Sequence, residues 1–413
     1  MASSVSQKFS RREFMGTVAA GVAGFPMLGR AAPRFGNYMI LGVDGMDPTL
    51  LRRLMDAGRM PNCRRLAQQG CFHKIATSDP PQSPVAWSNF ISGTNPGGHG
   101  IFDFIARDAE TLKPHLATAR TTEPTRKLPV GKYSLPLSGG GAELLREGPT
   151  LWSILEKAGV DATAFKVPVN FPPSPTTART ISGITTPDVH GSYGVFTFFS
   201  SVPGTRSKDV AGGRIRRVFP ENHSVMCELG GPVNTLHREA PAMNVPLAVD
   251  LDPDRPEARI HVQGRDLLLR QGEWSDWVVL DFPMIPVLAE TSGICRFYLK
   301  QAKPYLELYV SPVNLNPDDP AMPICTPENY SKQLVRDVGY FYTQGMPEDT
   351  AALSSGVFDD DEFRKQATFV IEERMKFLRY ELDRYRGGFF YFYFSSLDLN
   401  SHAFWRALDP GHP

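Results

Sequence analysis

The chain has 413 residues, 41% hydrophobic and 21% charged, with 44 Lys plus Arg balanced by 44 Asp plus Glu. That is an ordinary globular composition, long enough for one large α/β unit with insertions or for two domains. The zero formal charge leaves no nucleic-acid footprint, and no apolar stretch beyond the N-terminus reaches the length needed to span a bilayer.

The first 32 residues read as an address. Ser10-Arg11-Arg12-Glu13-Phe14-Met15 precedes an apolar, small-residue run from Gly16 to Leu28, followed by Gly29-Arg30-Ala31-Ala32-Pro33. A charged start, an apolar middle and small residues at a cleavage point make a signal peptide, and the paired arginines resemble a twin-arginine export signal. The expectation is therefore a periplasmic or otherwise exported protein, handled by the twin-arginine translocation machinery and with no stable membrane span once residues 1–32 are removed. Their loss takes away four cations and one anion and leaves a net charge of about −3 at neutral pH. Cys63, Cys71, Cys227, Cys295 and Cys325 are odd in number and show no CxxC spacing, so they read as buried small hydrophobes rather than a structural zinc site.

In chain order, Met39 to Val43 is a continuous apolar run typical of a strand buried on both faces. It ends at Asp44-Gly45, and Asp47-Pro48 then caps a helix running to about Gly58. Cys71 to Ala76 reads as a second strand. Ser83 reads as the N-cap of the next helix, with Pro84 at its first position and Gly93 at its end. Residues 100–150 are expected to be loop-rich, with Gly139-Gly140-Gly141 as a flexible tip. Leu151 to Ala158 reads as a helix; Ala162 to Val167 and Thr180 to Gly183 read as strands. Strand-like stretches such as Arg259–Val262, Trp277–Asp281 and Tyr305–Val310 give a β-rich insertion. Helical periodicity returns from Asp361 to about Tyr385, ahead of the apolar strand Phe389–Phe394. Strands alternating with helices imply an α/β fold with a mainly parallel central sheet covered on both faces. The organisation expected is a signal at 1–32, an α/β domain at 33–200, a β-rich insertion or cap at 201–325, and the continuing α/β domain at 326–413.

Four residues carry candidate chemistry. Asp44 follows a buried strand, at the carboxyl edge where α/β proteins build their sites, although Asp-Gly is also a common turn. Ser83 sits in the positive end of a helix dipole with backbone N–H groups beside it, a place suited to phosphate and to a developing alkoxide. Asp398 and His402 lie past another apolar strand at i, i+4, so on a helix they share one face and can hold one cation. By spacing alone, an Asp cap with a nearby surface histidine fits equally well. His99, flanked by turn glycines, is either a ligand or a loop anchor.

The set Ile40-Leu41-Gly42-Val43-Asp44-Gly45-Met46, Met60-Pro61-Asn62, Pro81-Gln82-Ser83-Pro84-Val85-Ala86-Trp87, His99-Gly100-Ile101 and Asp398-x-x-x-His402 resembles the type I phosphodiesterase/nucleotide pyrophosphatase family of the alkaline phosphatase superfamily. The resemblance covers roughly residues 37–200 and 320–413. It implies an alkaline-phosphatase-like fold and two divalent metal ions, zinc first with manganese or magnesium as alternatives. It also implies a small phosphate-ester substrate attacked by Ser83 as nucleophile. Asp44 and Ser83 would ligate one metal and Asp398 with His402 the other, while His99 would hold its loop. The chain departs from the family in lacking any Asp-His dipeptide, in carrying Asp103-Phe104 where many members have an Asn, and in stopping at Gly411-His412-Pro413. These features give the expectation of a C-terminally truncated sequence with three ligands missing. A sulfatase reading is weaker, because Val85 and Trp87 stand where that family needs Pro and Arg. Other hydrolases of the superfamily, acting on phosphomonoesters, phosphonates or sulfate esters, stay open, as does an exported binding protein without catalysis.

Overall fold

The computed structural model describes residues 36–138, 140–407, 409 and 411. The signal-peptide reading at 1–32, Gly139 of the glycine tip, and His412-Pro413 fall outside these residues. Asn37 begins a single compact unit.

The central sheet has five strands: β1 (Tyr38–Val43), β2 (Ala162–Val167), β3 (Arg179–Ser182), β4 (Cys325–Thr326) and β5 (Phe389–Phe394), in the order β1-β5-β2-β3-β4. The first four in that order run parallel, and β4 is antiparallel to β3. β5 is therefore central, which is why its sequence Phe-Phe-Tyr-Phe-Tyr-Phe is apolar throughout. Its alternate side chains part cleanly. Phe390 and Phe392 pack with Phe165, Phe341, Phe377 and Leu334, whereas Phe389, Tyr391 and Tyr393 pack with Ile91, Trp152 and Trp87.

Nine helices accompany the strands among the described residues: α1 (Pro48–Asp56), α2 (Pro61–Gln69), α3 (Ser83–Ser92), α4 (Pro96–His99), α5 (Leu151–Lys157), α6 (Tyr330–Asp337), α7 (Thr350–Ser354), α8 (Asp360–Arg384) and α9 (Ser396–Phe404). α3 and α5 cover one face of the sheet, and α6 and α8 the other. Asp47 caps α1, its carboxylate accepting from Leu50 N–H at 2.6 Å, with Pro48 following. α8 opens on a reciprocal capping box between Asp359 and Glu362, so it holds 25 residues from a defined start. Among the described residues, no helix is long and apolar enough to cross a membrane.

Four local expectations need correcting. Met39–Val43 forms a strand, but at the sheet's edge, with Met39 48% and Leu41 51% exposed rather than buried on both faces. Cys71–Ala76 forms no strand: its residues are irregular and mostly exposed, Ile75 at 90%. Without a strand beside it, this six-residue run has no ladder to join, and Phe72 instead packs under the Arg52 guanidinium, 4.6 Å away. Residues 100–150 hold more structure than expected, since Ile105–Arg107, Ala119–Thr122 and Arg126–Val130 pair antiparallel with Pro114–Leu116, Gly141–Leu144 and Tyr133–Ser138. These strands are only three to six residues long and mostly exposed, so they show no clear period in the sequence. Of the cysteines, Cys295 and Cys325 are buried, but Cys71 is exposed.

Between residues 196 and 315 the chain is β-rich. A six-stranded sheet built around Phe196–Ser200, a four-stranded antiparallel sheet spanning Ser224 to Arg270, and a three-stranded sheet share one apolar core. Val249, Ile260, Leu280, Phe282 and Phe297 lie at its centre.

Candidate active site

Asp44 is the first residue past β1. Its N–H donates to Phe394 O at 2.9 Å, extending the parallel ladder by one rung and fixing the carboxylate at the carboxyl edge. The Tyr393 hydroxyl, from the neighbouring strand, donates to Asp44 Oδ2 at 2.6 Å. Asp44 therefore has a structural partner that the sequence pattern did not assign. The signal was present in the polar tips of Tyr391 and Tyr393 within an otherwise all-Phe strand.

Gly45 brings the second carboxylate in. Its φ is +68°, and a Cβ placed there would stand 2.6 Å from Asp398 Cα and 3.0 Å from Asp398 Oδ1. The start of α9 thus rests directly on the Asp44-Gly45 turn. Asp398 carries a carboxyl pKa raised by burial and then by the negative charge of Asp44, with His402 pulling the other way. His402 Nε2 lies 3.7 Å from Asp398 Oδ2, one helical turn on, and its ring is 76% exposed. The i, i+4 expectation for this pair is met by α9. Two carboxylates that repel each other at one edge, with an imidazole beside them, are a donor set suited to a divalent cation. They are not a complete one: among the described residues, no group of three or more His, Cys, Asp or Glu has the geometry to hold a metal.

Ser83 reaches the same edge by helix packing. Trp87 stacks edge-on against Tyr393 at 5.0 Å, and Phe90, one turn later, lies 5.4 Å from Tyr391. α3 therefore runs antiparallel to β5, and its first residue lies at the end of the sheet where Asp44 stands. Gly42 permits this approach, since a Cβ on it would meet Trp87 Cη2 at 2.8 Å. The N-cap is Gln82 rather than Ser83, which is the first helical residue and half-buried. Pro84 at the second position has no N–H, and Val85 N–H donates to Gln82 O at 3.0 Å. The helix start thus offers fewer free amides than expected, and its dipole contributes through Ser83 itself.

His99 is fully buried in α4, away from solvent. Its Nδ1 accepts from Ile101 N–H at 3.1 Å, and its Nε2 hydrogen-bonds the Asn89 side-chain amide at 2.7 Å. Burial and the charge of Arg146 lower its pKa and keep it neutral. His99 ties the loop after α4 to α3.

Behind the carboxylates lies a charged layer that motif reading missed. Glu348 and Arg374 are each 2% exposed. Burial raises the Glu348 carboxyl pKa, while Ser396, at the start of α9, and Arg374 oppose the rise. Arg374 also feels Glu373 and Tyr393, and its own pKa is lowered by burial. Glu373, only half-buried beside Arg374, is pushed up to about 7 by burial, against the pull of Arg374 and Lys166. Nothing in the local pattern of α8 separates these inward-facing charges from its solvated ones.

No curated protein and no solved structure matches the chain. Residues 38–221 match the family model of type I phosphodiesterase / nucleotide pyrophosphatase, a stretch that contains both Asp44 and Ser83. Enzymes of that family are hydrolases that work with divalent metals. Over residues 38–221, with Asp44 closing β1 and Ser83 opening α3, the chain is similar to the type I phosphodiesterase/nucleotide pyrophosphatase family.

Proposed function

We propose that this protein is an exported, metal-dependent hydrolase of phosphodiester or phosphoanhydride bonds in small substrates, with Ser83 as its nucleophile. The observation that carries the reading is convergence: Asp44 from β1, Asp398 and His402 from α9 and Ser83 from α3 come to one carboxyl edge despite more than three hundred residues of separation. Asp44 with Ser83, and Asp398 with His402, are the residues that would hold two divalent cations, zinc by preference. Bound there, such ions would acidify the Ser83 hydroxyl and offset charge on the leaving oxygen.

The chain's own part is positional. Tyr393 holds Asp44 in one orientation, Gly45 lets α9 close on the turn, and α3 presents the Ser83 hydroxyl at its positive end. Ser83 Oγ attacks phosphorus in line, the bond to the leaving oxygen breaks, and the phosphoserine ester is then hydrolysed to restore the hydroxyl. The chemistry needs an unblocked Ser83, so Ser83→Ala should abolish hydrolysis of bis-nitrophenyl phosphate with added zinc or manganese. A folded Ser83→Ala protein that turns over at the wild-type rate would sink the covalent mechanism. The incomplete donor set favours one alternative, an exported binding protein of this fold. Saturable binding of the diester without any turnover of the wild type would select it.

A further inference from the structure

A cleft of about 490 Å³ lies beside the start of α5, with four prolines in its walls and Arg146, Thr150 and Ser153 among its polar groups. Arg146 is only 4% exposed. Its Nε donates to Val169 O at 3.2 Å and its Nη2 to Ser174 Oγ at 3.1 Å, both neutral acceptors. Nη1 is buried with no partner among the described residues. Burial lowers the guanidinium pKa to about 10, and no nearby anion counters that effect. The group therefore stays charged at neutral pH with no counter-ion. His99, the titratable neighbour on the other side, is held neutral.

A buried, permanently charged fork with one free arm is an unfavourable thing to fold around unless something negative completes it. The cleft supplies space for it. Thr150 adds a hydroxyl whose oxygen accepts from Ser153 N–H at 3.1 Å, leaving its proton for another acceptor. The prolines contribute rigid apolar walls and no competing amide donors. We infer that the Arg146 cleft binds an oxyanionic group, the phosphate or carboxylate of a ligand, on the guanidinium and the Thr150 hydroxyl.

Its place in the fold gives this a functional sense. α5 leads through a short turn into β2, so its Thr150 end lies toward the carboxyl end of that strand, and Val169, which anchors Arg146, follows β2 directly. The cleft thus belongs to the same edge of the sheet as Asp44 and Asp398, two strands along in the order β1-β5-β2. It stands independently of the hydrolase reading, because neither Ser83 nor a metal takes part in it.

The test uses the full chain carrying Ser83→Ala and Asp398→Asn, freed of metal, so that binding at the candidate active site is removed. Calorimetric titration with inorganic phosphate, and separately with acetate, should give saturable one-site binding of at least one of them, and which one binds assigns the group. Adding Arg146→Gln should weaken that binding by at least about tenfold, with Arg146→Lys intermediate because an ammonium keeps the charge but loses the fork. Pro173→Glu, which sets a carboxylate in the cleft wall, should abolish binding and serves where Arg146→Gln does not fold. Absence of saturable binding of either anion overturns the inference, as does unchanged affinity in Arg146→Gln or Pro173→Glu.

Discussion

Replacing Gly45 by alanine is the sharpest probe of how the site is assembled. At φ +68° an L-residue sits in the left-handed region, which costs about 1–2 kcal/mol by itself. The added methyl would also stand 2.6 Å from Asp398 Cα and 2.9 Å from Asp398 Cβ, so α9 must move or the turn must open. Overpacking of that kind costs about 1–3 kcal/mol more. Gly58 provides the control: its φ is +70° and nothing lies within 4 Å of a Cβ there. Urea unfolding should therefore show Gly58→Ala losing about 1–2 kcal/mol and Gly45→Ala about 2–5 kcal/mol. The difference measures the contact with Asp398 alone. Because that contact sets the separation of the two carboxylates, Gly45→Ala should also lose diester hydrolysis and zinc affinity, while Gly58→Ala keeps both. Equal stability losses in the two variants, with hydrolysis intact in Gly45→Ala, would refute the idea that α9 docks on this turn.

Tyr393→Phe removes the hydroxyl that donates to Asp44 and should cost about 2 kcal/mol, read as a lower denaturant midpoint, together with weaker metal binding. Ser83→Ala, at a helical rather than a capping position, should change stability by less than about 0.5 kcal/mol while abolishing turnover, so midpoint and rate should part company. Asp349, fully buried against the Tyr309 hydroxyl at 2.5 Å, has a folded pKa raised to about 6 from 3.8. The folded state keeps a proton that the unfolded chain has released, so stability falls as pH rises from about 4 to 6, by about 3 kcal/mol in all. Asp349→Asn should flatten that part of the wild-type profile of unfolding free energy against pH, and an unchanged slope would contradict it. For the N-terminal segment, changing Arg11 and Arg12 to lysine should strand precursor in the cytoplasm, and normal export of the double variant would dismiss the twin-arginine reading.

Legibility along the chain followed burial. β2 and β5 could be read to the residue because a strand covered on both faces leaves a mostly apolar run with sharp ends, and α8 to within a residue at each end because its helical periodicity is sustained over 25 residues. Cys71–Ala76 misled for the opposite reason. A short run with apolar ends forms a strand only where a partner is available, and partners are not visible in a local window. The hairpins between 105 and 144 were hidden because their strands are only three to six residues long and mostly exposed, too short for a clear period. Among the candidate residues, Asp44 and Ser83 stand at element ends beside recognisable turns, and Asp398 with His402 stand out by their i, i+4 spacing past an apolar strand. Tyr393 and Arg374 lie within elements and Glu348 in the loop before α7, and each acts through neighbours brought in from elsewhere in the chain, which a local window does not show.

That division points to how the site is built. The candidate reactive groups stand mostly at element ends, but their relative placement depends on contacts at the sheet: Trp87 against Tyr393, Tyr393 against Asp44, and Gly45 under Asp398. Each contact joins a different pair of segments, so losing one leaves the others standing but alters a distance between reactive groups. Tyr393 is central to this arrangement, touching α3 through its ring and Asp44 through its hydroxyl. Phenylalanine at 393 keeps the ring contact and removes only the hydrogen bond, whereas alanine removes both. If the sheet positions the nucleophile and the carboxylate together, Tyr393→Ala must lose more activity than Tyr393→Phe, and its loss should depart from the sum of Tyr393→Phe and Trp87→Ala, because contacts sharing one residue do not act additively.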